Sequence, residues 1–279
     1  TKKATSTPIL LPHCQMGQLL QHHVIYPDVA EKALRDGDCD MVMLGRPLLA
    51  DPDWCNKVYA GDVSKICPCI GCQEGCVNEF VEGGHIQCAV NARTGFEDVL
   101  PLTLVAAEKP KKICVVGAGP AGIIFAINAA KRGHIVELIE RTDKIGGKVI
   151  PGSVPKIKFD FDNYLTYLNN ELKQAQNMPN FTLKLGTEAT NAWLKEQKYD
   201  TIVFSVGTKN ACPPIPGIDK IKTVQAVDLL ANPALMGNAK NIVVAGGGVV
   251  GCETAYWLNY EFGKNVKVVE MMSQFMDGA

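Results

Sequence analysis

The chain has no excess of charge of either sign: 28 Lys and Arg against 29 Asp and Glu leave a net −1. That balance offers no grip to a nucleic-acid backbone or an anionic membrane surface. No apolar run approaches the roughly 18 residues that a bilayer-spanning helix needs. No stretch reads as a secretory leader. The eleven cysteines therefore do not read as a disulfide scaffold; they fit a reducing cytosol and metal ligation. The expectation is a cytoplasmic protein whose partners are neither nucleic acid nor membrane.

What is present is a globular composition, 47% hydrophobic and 20% charged, over 279 residues, a length that suits about two domains. The densest chemistry lies at Cys69, Cys72, Cys76 and Cys88, spaced C-x2-C-x3-C-x11-C. Four cysteine thiolates are the usual ligand shell of iron–sulfur clusters. Zinc also takes four cysteines, but usually as two separated C-x2-C pairs. Buried free thiols are the plainer alternative, since cysteine packs as a small hydrophobe. Three cysteines within eight residues favour a compact cluster. Cys67 is a spare thiol nearby. Arg93 either offsets the charge of such a centre or is a plain surface residue. His85 is expected in solvent.

Before the cysteines, residues 8–11 read as a short buried strand. Residues 12–26, with His13, His22 and His23, read as a solvated loop. Asp28 to Asp36 reads as a helix ended by Gly37. Cys39 to Leu44 reads as a parallel strand covered on both faces, running into Gly45-Arg46. A strand–helix–strand order indicates α/β architecture. A glycine and an arginine at the carboxyl end of such a strand are suited to a phosphate; alone the pair is also an ordinary turn. A short helix is expected around Trp54 to Tyr59.

A new unit starts near residue 109. Lys112 to Val116 is a strand, and Gly117, Gly119, Pro120, Ala121 and Gly122 fall in a G-x-G-x-x-G loop. Ile123 to Arg132 is a helix, and Ile135 to Ile139 a second strand closing on Glu140, 23 residues after Gly117. In this context the motif is a dinucleotide fingerprint: the glycines let a pyrophosphate reach the helix N-terminus, and the acid meets a ribose hydroxyl. The stripe Phe161, Tyr164, Leu165, Leu168 and Leu172 is an amphipathic helix read as core packing. Further strands are expected at Phe181 to Leu185 and Tyr199 to Ser205, with a short helix at Asn191 to Gln197. Asn241 to Ala245 then repeats the pattern, with Gly246, Gly248, Val249 and Gly251 in a second fingerprint 129 residues after the first, and Glu270 closing the strand Val266 to Val269.

Two fingerprints imply two dinucleotides. Nicotinamides pass two electrons as hydride and iron–sulfur clusters pass one, so a flavin is expected between them: FAD at the first fingerprint, NAD(P)H at the second. Glu270, with no Arg or Lys in the residues just after it, favours NADH over NADPH. A disulfide reductase would need a close cysteine pair beside FAD, and Cys114 and Cys212 are isolated.

The residues DMVMLGRPLLADP (40–52), the CIGCQEGC loop with Cys88, GAGPAG and GGGVVG together resemble one family. It is that of the NADH:flavin oxidoreductases, 2,4-dienoyl-CoA reductases and 2-enoate reductases, which join an old-yellow-enzyme-like barrel to an iron–sulfur cluster and a glutathione-reductase-like module. The resemblance covers residues 27–279. It implies the end of a (β/α)8 barrel over 1–62 and an iron–sulfur segment with linker over 63–108. An FAD domain over 109–222 and the start of an NAD(H) domain over 223–279 follow, with the chain a piece cut at both ends. It implies FMN with its phosphate at Gly45 and Arg46, and a [4Fe–4S] cluster on the four cysteines. FAD would lie at the first loop with Glu140, Arg141, Gly147 and Gly207, and NADH at the second loop with Glu270. Electrons would run from NADH through FAD, cluster and FMN to an activated C=C bond in a small enoate, enoyl-CoA or bile-acid-derived substrate. The residues that protonate substrate are expected upstream of Thr1. Where relatives carry another Gly-Arg loop, this chain has Pro12-His13-Cys14-Gln15. An amine dehydrogenase of the trimethylamine dehydrogenase type and a non-catalytic electron-transfer module stay open as alternatives, as does assembly into a homo-oligomer.

Overall fold

The computed structural model describes residues 19–21, 24–100 and 103–276. The expected strand at 8–11, and His13, Cys14, His22 and His23, lie outside the described residues. The chain divides into two compact units, residues 1–147 with 160–206, and residues 148–159 with 207–279.

The first unit opens with strand β1 (Leu19–Gln21), helix α1 (Pro27–Arg35) and strand β2 (Met41–Met43). β1 and β2 pair in parallel, Leu19 opposite Met41. The strand β1 falls inside the passage expected to be a loop; three residues are too few for a periodic signal. Helix α1 turns Ala30 and Ala33 inward, where they meet Val24 and Cys39. β2 is shorter than expected and is not covered on both faces, for Met41 is 55% and Met43 40% exposed. Among the described residues only β1 and α1 flank it, and an apolar strand is buried only as far as neighbours cover it.

Helices α2 (Arg46–Ala50) and α3 (Trp54–Tyr59) follow, then the cysteine segment with the short helix α4 (Glu79–Val81). Next comes the main layer of this unit, a parallel sheet of β3 (Lys112–Val116), β4 (Ile135–Ile139), β5 (Phe181–Lys184) and β6 (Thr201–Phe204), in the order β5-β4-β3-β6. Helix α5 (Pro120–Lys131) crosses from β3 to β4. It starts three residues earlier than the sequence suggests because Pro120 occupies its first turn, where a missing N–H costs nothing. Its apolar face buries Ile123, Ala126 and Ile127, and Gly133, at φ +94°, follows its end. Helix α7 (Phe159–Ala175) buries Tyr164, Leu168 and Leu172, and α8 (Asn191–Glu196) is capped by Thr190, whose hydroxyl accepts the Trp193 N–H. Full burial of a leucine such as Leu168 contributes about 1.5–3 kcal/mol. The edge strand β6 is only half-buried, against the expectation of a buried strand.

The second unit contains α6 (Val149–Gly152), α9 (Ala226–Ala231), β7 (Asn241–Ala245), α10 (Val249–Phe262) and β8 (Asn265–Val269). β7 and β8 pair in parallel. Its core gathers Leu229, Trp257 and Leu258, with Val154, Ile242 and Val266 packed against them. No helix among the described residues is long and apolar enough to cross a membrane.

Candidate functional site: a cysteine recess and two glycine loops

Cys69, Cys72, Cys76 and Cys88 line one recess of the first unit, together with Arg46 and Leu49. The local backbone explains how four thiols reach it. Gly71 (φ +66°) and Gln73 (φ +58°) are both left-handed, which turns the chain sharply between Cys69 and Cys76. Glu74–Asn78 then form a single π turn, a shape found mostly at functional sites. The return to Cys88 runs hard against Gly75: the Gln87 N–H donates to the Gly75 carbonyl at 2.8 Å. A Cβ on Gly75 would lie 2.9 Å from the Gln87 backbone, so only glycine fits.

One backbone amide meets these sulfurs directly: the Gly71 N–H donates to Cys69 Sγ at 3.5 Å. Burial pushes the Cys69 and Cys88 thiols up from their ordinary range, while the backbone of Gly71 pulls Cys69 and that of Val90 and Asn91 pulls Cys88 the other way. Four cysteine thiols around one recess are a donor set that an iron–sulfur centre or a zinc ion could use.

Cys67 is not among the residues lining the recess. It is buried, its Sγ lies 3.9 Å from the Val90 carbonyl, and its N–H donates to Asp51 Oδ2 at 2.8 Å. Burial, then the charges of Asp51 and Cys88, push its thiol far up. Arg93 also stays outside the recess: its Nε donates to the Leu100 carbonyl at 3.2 Å. His85 is exposed as expected and faces Phe96.

Sequence reasoning missed two supports. Asp51, only 4% exposed, accepts from Cys67 N–H, from Lys57 Nζ at 2.6 Å and from the Asp53 N–H at 3.1 Å, so it ties α2 and α3 to the cysteine segment. The inward face of α7, expected to be plain core, lies beside the same segment, since Tyr164 and Tyr167 both interact with Cys67. Nothing in their spacing distinguishes these residues from ordinary core. Asp160, in the first turn of α7, is pushed up to about 6 by burial, against the pull of Arg46.

The first glycine loop also belongs to this unit. Gly117 has φ +104° and lies against the Ser205 carbonyl, and a Cβ on Gly122 would come 1.9 Å from the Gly117 carbonyl oxygen. Gly119 differs: a Cβ there would meet no protein atom within 4 Å. The space in front of it is free at the N-terminus of α5, whose cap has no side-chain acceptor, so a pyrophosphate fits. Gly147 (φ +54°) backs on to Gly119, its Cβ position 3.3 Å from the Gly119 Cα. Glu140 accepts from the Ala118 N–H at 2.9 Å and from Thr142 at 3.0 Å, so its carboxylate stands at the loop. Pro120 and Ala121 open α5, and Arg141 is exposed.

The second loop repeats this geometry within the second unit. Gly246 has φ +112°, a Cβ on Gly251 would come 1.9 Å from the Gly246 carbonyl oxygen, and Gly248 is open. Val249 starts α10. Glu270 accepts from the N–H groups of Gly247 at 2.5 Å, Met271 at 2.6 Å and Met272 at 2.8 Å. Those amides, Met272 first, hold its carboxyl below the usual carboxylate range. Gly207 (φ +66°) also lies in this unit. Cys114 is fully buried and Cys212 exposed, and neither is disulfide-bonded.

Residues 111–279 match the family model described as pyridine nucleotide-disulphide oxidoreductase. The chain belongs to that family. Over more than 90% of its length, cysteine segment included, it is similar to parts of longer proteins. It is 37% identical over 257 residues to the metal reductase of Desulforamulus reducens, covering 92% of this chain and 36% of that protein. It is 36% identical over 250 residues to the cinnamate reductase of Clostridium sporogenes, covering 90% and 36%. Among solved structures, a 2-naphthoyl-CoA reductase in complex with 2-naphthoyl-CoA superposes with a TM-score of 0.83 at 33% identity, covering 92% of this chain and 38% of that one. The chain thus spans little more than a third of the length of these relatives. Together they place it among the NADH:flavin oxidoreductases and enoate reductases of the family.

Proposed function

We propose that this chain is the electron-transfer part of an NADH-dependent flavin and iron–sulfur oxidoreductase that reduces an activated C=C bond. The observation that carries the reading is the recess lined by Cys69, Cys72, Cys76 and Cys88 in the same compact unit as the first glycine loop. Cinnamate is a 2-enoate, and the names of the cinnamate and 2-naphthoyl-CoA reductases support conjugated acids or their thioesters as the substrate class.

The residues divide the work. The four cysteines would hold a [4Fe–4S] cluster, with the Gly71 amide directed at the Cys69 sulfur. Gly117, Gly119 and Gly122, the start of α5 and Glu140 would hold FAD; Gly246, Gly248, Gly251 and Glu270 would hold NADH. Gly45 and Arg46 follow β2 and open α2, the position where barrel enzymes bind phosphate, and would meet FMN. When bound, these groups supply hydride transfer at the flavins and one-electron transfer between them.

The test is composition followed by turnover. The anaerobically prepared full-length parent protein should contain four iron and four sulfide per chain, FAD and FMN, and should reduce cinnamate with NADH, whereas residues 1–279 alone should not. Stoichiometric zinc without sulfide would reject the cluster, and a full cofactor complement without C=C reduction would reject the substrate class.

A further inference from the structure

Two arginines flank the cysteines in sequence, and the structure brings only one of them to the recess. Arg46 and Leu49 are three apart on α2 and line the recess together, as residues at that spacing share a helix face. The helix cannot drift from the cysteines. The Leu49 carbonyl accepts from Asn91 Nδ2 at 2.8 Å and from Thr94 Oγ1 at 2.7 Å, just beyond Cys88. At the C-cap of the same helix, Asp51 accepts from the Cys67 amide. Helix α2 is therefore one wall of the recess, held at its C-terminal end, with a guanidinium at its first position.

We propose that Arg46 sets the reduction potential of the centre held by Cys69, Cys72, Cys76 and Cys88. The inference rests on the cluster reading above. A cluster on four thiolates is anionic, and reduction adds one electron and no bond. A fixed cation at its edge favours the more negative, reduced form and so raises the potential. Guanidinium is the appropriate group, because it stays charged wherever it is placed. Asp160 opposes the cation, since Arg46 and Asp160 act on one another. It weakens the cation's effect without removing it.

The test is an EPR-monitored redox titration of the cluster in the holoprotein, stripped of FMN so that any role of Arg46 at the FMN phosphate does not contribute. Wild type, Arg46→Gln and Arg46→Lys are compared at equal iron and acid-labile sulfide. Arg46→Gln should lower the one-electron equilibrium constant for reduction about tenfold, a shift of about 59 mV to lower potential. Arg46→Lys keeps the charge and should fall between the two. If Arg46→Gln does not retain its cluster, the charge-free Arg46→Met is titrated in its place: a lower potential than wild type supports the proposal and an equal one overturns it. A wild-type potential in Arg46→Gln overturns this inference alone. Wild-type protein without iron and sulfide overturns the cluster reading and this inference with it.

Discussion

The first glycine loop separates a glycine needed for folding from a glycine needed for the ligand, and two single substitutions should pull these apart. At Gly122 a methyl group would sit 1.9 Å from the Gly117 carbonyl oxygen and 3.2 Å from the Ser205 Cβ. The Gly117 backbone cannot yield easily, since its N–H donates to the Ile139 carbonyl at 2.8 Å. The start of α5 would have to move away by roughly 1.5 Å to restore an ordinary contact, and overpacking of this kind costs about 1–3 kcal/mol. The unit that contains the loop falls in the size range where each kcal/mol moves the midpoint by about 2–4 °C, so a cost near the upper end lowers Tm by about 6–12 °C. Gly119 has φ −75° and ψ 175°, extended backbone open to any residue, with no atom near the Cβ position. Gly119→Ala should therefore leave the apoprotein as stable as wild type, or more stable by about 0.4–1 kcal/mol from the smaller entropy of the unfolded chain. Its methyl group would instead fill the space proposed for the pyrophosphate, and FAD affinity should fall by tenfold or more. The assays are circular-dichroism melting of the apoprotein and FAD titration followed by flavin fluorescence. An apo Tm for Gly122→Ala equal to wild type would refute the packing argument. Wild-type FAD affinity in Gly119→Ala would refute the placement of the ligand.

Cys69→Ser, Cys72→Ser, Cys76→Ser and Cys88→Ser should each lose iron and brown colour, while Cys67→Ser keeps both; loss at Cys67 with retention at Cys69 would shift the ligand set. Asp51→Ala leaves the buried Cys67 amide and the Lys57 ammonium without their acceptor; it should cost about 1–3 kcal/mol in denaturant titration, and a neutral result would remove Asp51 from the scaffold. NADH should be preferred to NADPH, because Glu270 would face a 2′-phosphate with like charge; a higher kcat/KM with NADPH, or an unchanged cofactor ratio in Glu270→Ala, refutes this. Because amides hold the Glu270 carboxyl below its ordinary range, its contribution to stability is present above the unfolded pKa and lost as pH falls through the folded one. Glu270→Gln should accordingly melt lower than wild type at pH 7, and the gap should close at low pH once the wild-type Glu270 carboxyl is protonated, as pH-dependent melting curves measure.

The parts of the fold that could be read in advance are those fixed by neighbours in sequence. Ile135 to Ile139 was expected as a strand and forms β4 over those residues, because an apolar run bounded by Gly133 and an acid is a local signal. The crossing of residues 148–159 into the second unit has no such signal. Val154 packs there against Leu229 and Trp257, both more than 70 positions away, and no periodicity encodes a contact at that range. The same limit applies to α7, whose stripe is visible but whose neighbour, the cysteine segment, is not.

The arginines beside the cysteines show why nearness in sequence misleads at a site of this kind. Arg93 stands five residues after Cys88, a position that reads in sequence either as a charge to offset a thiolate-ligated centre or as a plain surface residue. The turn that follows Cys88 folds back on itself: the Phe96 N–H donates to the Arg93 carbonyl at 2.8 Å, and the Arg93 side chain is drawn to the Leu100 carbonyl. Asn91 and Thr94 of that turn spend their side chains on the Leu49 carbonyl of α2. That pairing carries Arg46, 23 positions before Cys69, to the wall of the recess. The residues after the last cysteine therefore act by docking a helix from the preceding segment, and a positive charge comes with it.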